Sequence, residues 1–75
     1  MTYAELQQRQ ADTAQAMYAA SDLAASLKAQ WQASNTDADF EAYFEARCAL
    51  DAAREAYDAV QRDRAGAYVA TIRES

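Results

Sequence analysis

Apolar positions recur every three or four residues along the first half of the chain: Tyr3, Leu6, Met17, Ala20, Ala24, Leu27 and Trp31. Gln10 and Thr13 fill two positions of the same series with polar groups. The second half repeats the spacing at Tyr43, Ala46, Leu50, Ala53, Tyr57 and Val60, then continues through Arg64 and Ala67. Alternating steps of three and four are the seam of helices that pack along their length. Both halves therefore predict long helices, and the fold class is an all-α, antiparallel two-helix hairpin of coiled-coil type.

The punctuation agrees with two helices. There is no proline, and Gly66 is the single glycine. Thr2 and Glu5 form a T-x-x-E capping box, in which each side chain can satisfy a free backbone N–H of the other residue. The cluster Ser34-Asn35-Thr36-Asp37 is rich in residues that end and restart helices. The boundaries expected for a single domain, residues 1–75, are helix 1 at about 3–33, a turn at about 34–37 and helix 2 at about 38–72. Folding at Asn35–Thr36 sets Ala20 against Leu50, Met17 against Ala53, Thr13 against Tyr57 and Trp31 against Phe40. Large faces small along much of that seam. Beyond Tyr57 the large residues change step, to Tyr68 and Ile72. That predicts a phase shift in a continuous helix, with a break at Gly66 as the alternative.

Composition makes the core thin. The 52% hydrophobic fraction includes 21 alanines, which leaves 18 larger apolar or aromatic residues. Ordering 75 residues costs on the order of 110 kcal/mol, and one seam between two helices rarely offsets that. A homodimer that forms a four-helix bundle is expected. Its interface is assigned to the residues that miss the seam: Tyr18, Leu23, Phe44, Cys48 and Val69. Cys48 reads as a small buried hydrophobe, not a reactive thiol.

Charge and missing chemistry narrow the function. The net charge of −5 argues against nucleic acid, which needs a basic footprint. No apolar run is long enough for a membrane span. The N-terminus lacks a signal-peptide pattern, so a cytoplasmic location is expected. Histidine is absent, which removes the commonest general base and metal ligand. Asp37-Ala38-Asp39-Phe40-Glu41 opens like a calcium loop. It fails where glycine and the closing glutamate are required, at Ala42 and Cys48. No cofactor, no metal and no enzymatic activity are expected. Six arginines against one lysine, with so much alanine, suggest a GC-rich coding sequence of a bacterium or its phage.

The charge is uneven. Residues 34–55 carry six acidic and two basic groups, net −4, while residues 1–33 are net −1 and residues 56–75 net 0. The acidic stretch also holds Phe40, Tyr43 and Phe44, with Trp31 arriving from helix 1. Acids around aromatic anchors have the makeup of a binding site for a protein with a basic surface. The candidate site is Trp31, Asp37, Asp39, Phe40, Glu41, Tyr43, Phe44 and Glu45. A hairpin with tryptophan near its turn resembles the small WXG-type proteins in architecture alone. Trp31-Gln32-Ala33 lacks the glycine that defines them, and no function is carried over.

The leading expectation is a non-enzymatic interaction module, an acidic adaptor or inhibitor that is possible for a phage or mobile element to encode. One alternative is a structural or assembly component of a larger complex. Another is a small-molecule or nucleotide binder with an inter-subunit pocket lined by Arg54, Tyr57, Arg62 and Arg64.

Overall fold

The computed structural model describes the backbone of residues 2–74 and the side chains of residues 2–73. Two helices account for nearly all of it: α1 over Tyr3–Ser34 and α2 over Asp37–Glu74, packed against each other as an antiparallel hairpin. The rod measures 59 × 14 × 14 Å. Its radius of gyration is 17.1 Å, against about 11 Å for a compact chain of this length.

Each helix end has a local cause. Thr2 is extended, and its Oγ1 accepts a hydrogen bond from the Glu5 N–H at 3.2 Å, which satisfies one of the free donors at the start of α1. Asn35 closes α1 in the left-handed conformation, φ 54° and ψ 36°, and its N–H donates to the Trp31 carbonyl at 2.6 Å. Asparagine tolerates that backbone better than most residues. Thr36 then caps α2, accepting from the Asp39 N–H at 3.3 Å. The chain reverses with only Asn35 and Thr36 outside the helices.

The seam follows the expected positions closely. Tyr43, Ala46, Leu50, Ala53, Tyr57, Val60, Arg64 and Ala67 are all buried or half-buried. On α1, Leu6, Gln10, Thr13, Met17, Ala20, Ala24, Leu27 and Trp31 are too, while Tyr3 is exposed. Ala24, Ala46 and Leu50 form the central buried cluster, with Met17, Ala20 and Leu27 packed on it. Alanine opposite larger side chains lets the two backbones approach closely. Only Leu6, Ala24, Ala46, Leu50 and Val60 are buried among the described residues, Val60 the most completely.

Polar seam residues are accommodated differently. The Thr13 hydroxyl donates to its own helix, to the Arg9 carbonyl at 2.8 Å. Arg64 instead crosses to α1. Its guanidinium donates to Gln10 Oε1 and, at 2.9 Å, to the Tyr3 hydroxyl. It also lies 5.5 Å from the Tyr3 ring centre, within cation–π range. The hydrogen bond from Arg64, and next its charge, lower the Tyr3 phenol below its ordinary pKa. Arg64 Nε is buried without a partner.

Two expectations are corrected. There is no phase shift after Tyr57: the seam runs on through Arg64 and Ala67, while Tyr68 and Ile72 are exposed on another face. Cys48 is exposed, not buried. It stands five residues past Tyr43, about 140° around the helix from it, and so points away from α1. On the outer side of α2 the Asp51 carboxylate lies 3.6 Å from the Arg47 guanidinium and 4.0 Å from that of Arg54.

α2 passes through Gly66 without a break or a positive φ. A Cβ at that position meets nothing within 4 Å. Gly66→Ala is therefore expected to raise stability by about 0.5–1 kcal/mol in a urea or thermal melt. A loss of stability would show that α2 does not continue as a helix through this residue.

Candidate functional site

The turn brings four aromatic rings together at one end of the rod. The Trp31 ring centre lies 5.0 Å from that of Phe40 at a 60° tilt, and 5.9 Å from that of Tyr43, nearly parallel at 14°. Phe40 continues the cluster to Phe44, 6.3 Å away. Such pairs contribute about 0.5–1.5 kcal/mol each beyond the area they bury. Trp31 thus meets Phe40 in the register set by reversal at Asn35–Thr36, and Tyr43 one turn further on. Trp31 and Tyr43 are half-buried, whereas Phe40 is 43% and Phe44 58% exposed. The outer half of the cluster faces solvent.

The acids around it divide into two kinds. Asp39 is bound into the turn. Its carboxylate accepts from the Ser34 hydroxyl and, at 3.4 Å, from the Gln30 side-chain amide. Ser34 Oγ also lies 3.2 Å from Thr36 Oγ1 and accepts from the Thr36 N–H at 3.4 Å. Asp39 therefore joins the end of α1 to the start of α2. Asp37, Glu41 and Glu45 are exposed. Asp37 and Asp39 sit in the first turn of α2, where the helix dipole favours carboxylates. Glu41 and Glu45 are one turn apart on the outside of the tip.

The five residues assigned to a self-association face are all exposed, but they do not form one surface. Phe44 and Cys48 are one turn apart and share a side. Tyr18 and Leu23, five residues apart, point about 140° from each other around α1. Val69 stands near the far end of α2.

The residues considered for a ligand pocket do not converge. Arg54, Arg62 and Arg64 border three different open depressions. Tyr57 accepts a hydrogen bond from the Gln61 side chain at 2.9 Å, and Arg64 is engaged with Gln10 and Tyr3. Among the described residues no group of three or more metal-ligating side chains comes together. No helix among them is long and apolar enough to cross a membrane.

No family model matches the chain, and no curated protein or solved structure is significantly similar to it. The geometry of its surfaces therefore has to carry any reading of function.

The structural role of Asp39 was not separable from its acidic neighbours by composition. Its sign was Ser34, which sits five residues earlier with a hydroxyl free to meet it. Asp39→Ala is expected to cost about 1 kcal/mol of stability, since it removes a charge-assisted contact across the turn. Glu41→Ala should stay within about 0.5 kcal/mol. Equal effects in chemical denaturation would contradict this division of the acids.

Proposed function

We propose that this protein is a non-enzymatic interaction module, an adaptor or inhibitor whose acidic aromatic tip engages another protein through a basic surface. The observation that carries the reading is the exposed outer half of the ring cluster. Phe40 and Phe44 are open to solvent on a rigid turn, with Asp37, Glu41 and Glu45 around them. Rigid aromatic anchors are inexpensive to bury because they lose little conformational freedom, and the acids add steering and orientation.

The tip is better suited to binding than to chemistry. Its one carboxylate–hydroxyl contact, Asp39 with Ser34, holds the two helix ends together, and the rings and remaining acids present a surface. The other two readings draw less support. The arginines of the ligand-pocket reading face different depressions. The assembly reading shares the exposed apolar surfaces but does not explain the concentration of acid at one end.

The test is affinity capture from a lysate of the source cells. The wild-type protein is expected to retain one stoichiometric partner. Reversing charge with Glu41→Lys and Glu45→Lys together should abolish that retention without loss of helix in circular dichroism, because neither residue holds the turn. Capture of the same partner by the reversed variant would remove the acidic tip from the account.

A further inference from the structure

α2 carries a second stripe at heptad spacing beside the one that faces α1. One line of it runs through Phe40, Arg47, Arg54, Gln61 and Tyr68, seven residues apart. The other runs through Phe44, Asp51, Asp58, Ala65 and Ile72. Steps of four and three join the two lines into one continuous helix face. The Phe40–Phe44 ring contact and the Arg47–Asp51–Arg54 ion pairs already link them. Every member is exposed except Gln61, which is half-buried. The stripe is apolar at both ends and charged in the middle.

Reversed end to end, the stripe is complementary to itself. Set a second α2 antiparallel to the first, with the two related by a twofold axis at the level of Ala56. Phe40 then meets Ile72 of the second copy, and Phe44 meets its Tyr68. Arg54 faces Asp58, Asp51 faces the Gln61 amide, and Arg47 faces Ala65. Apolar ends meet apolar ends, and no like charges oppose each other. A parallel pairing would instead set Arg47, Asp51, Arg54 and Asp58 each against its own copy. A face that matches itself under a twofold rotation is what an isologous dimer requires. The level of Ala56 is also the middle of α2, so the two rods would overlap along their full length.

The exposed area fits the same occupant. The chain exposes 5494 Å², where a compact folded chain of 8.3 kDa exposes about 4,600 Å². The excess, about 900 Å², is close to the ~800 Å² that each partner buries in a standard-size interface. α1 adds to the same side of the hairpin. Its Ser21 and Lys28 border one groove with Arg47 and Arg54 of α2, and Tyr18 lies one turn from Ser21.

We propose that this chain forms an antiparallel homodimer through this second stripe of α2, with Tyr18 of α1 near its centre. The pair is a four-helix bundle. Leu23, Cys48 and Val69 lie outside the contact. Glu41 and Glu45 are off the stripe and stay open at opposite ends of the bundle, but Phe40 and Phe44 are covered by the second copy, so the dimer and a partner seated on these two rings exclude each other.

Sedimentation equilibrium at micromolar concentration, with circular dichroism alongside, tests the proposal. The wild-type protein should have twice the 8.3 kDa mass of one chain. Arg54→Asp places a carboxylate opposite Asp58, and Asp58→Arg places a guanidinium opposite Arg54. Each is expected to raise the dimer dissociation constant by roughly tenfold or more. Combining the two restores opposite charges and should return the dimer. If a single variant also loses helix, the combined variant must recover both helix and mass. A fully helical wild-type monomer, single variants that dimerise as well as wild type, or a combined variant that stays monomeric would each overturn the proposal.

Discussion

The reversal at Asn35–Thr36 is the constraint on which the rest of the molecule depends. Asn35 takes the left-handed conformation, and Ser34, Thr36, Asp39 and Gln30 hold the two helix ends to each other. A connection of only two residues leaves little freedom in how the helices line up. The register is therefore set at the tip and propagates outward in step on both helices. At the near end it brings Trp31 onto Phe40 and Tyr43. At the far end it brings Arg64 to Gln10 and Tyr3, across 54 and 61 residues of sequence. A hydrogen-bonded polar layer of this kind disfavours slippage, because a shift by one heptad would part the guanidinium from the Gln10 and Tyr3 pair that holds it.

That register produces a seam which is close but shallow. Alanine at positions 20, 24, 46 and 53 allows a tight approach and supplies little apolar area. The hairpin consequently has one small buried cluster and a long, narrow shape. Among its exposed apolar groups, Phe40 and Phe44 at the tip and Tyr68 and Ile72 at the far end lie on one outer face, while Leu23 and Val69 lie off it. The same scarcity of core explains both features of the surface: a face that is complementary to its own reverse, and a ring cluster that is only half covered.

Much of this was legible in the order of residues. The alternation of three and four placed the seam on the right positions of both helices, Tyr3 excepted, including the polar ones at Gln10, Thr13 and Arg64. Cap chemistry located the turn to within a residue or two. The misreadings came from treating size as the guide to the seam. Tyr68 and Ile72 are large, so they suggested a change of step after Tyr57. In the structure the seam keeps to Arg64 and Ala67, because the helix period decides which side chain faces α1. Cys48 was expected to be buried, by residue type, although its position off the seam leaves it exposed on the hairpin. Asp39 was grouped with the other acids by charge, and only the geometry of the turn separates it from Glu41 and Glu45. The second stripe escaped for a related reason: its middle is charged, and an apolar pattern does not reveal a face of that makeup.

The central claim is that the hairpin is completed by a second copy lying alongside it, not end to end. Small-angle X-ray scattering over a concentration series measures mass and length together. The account predicts a particle of twice the single-chain mass whose length stays close to the 59 Å of one hairpin. A particle of single-chain mass with a radius of gyration near 17.1 Å at all concentrations would contradict it, as would a doubled mass with a nearly doubled length.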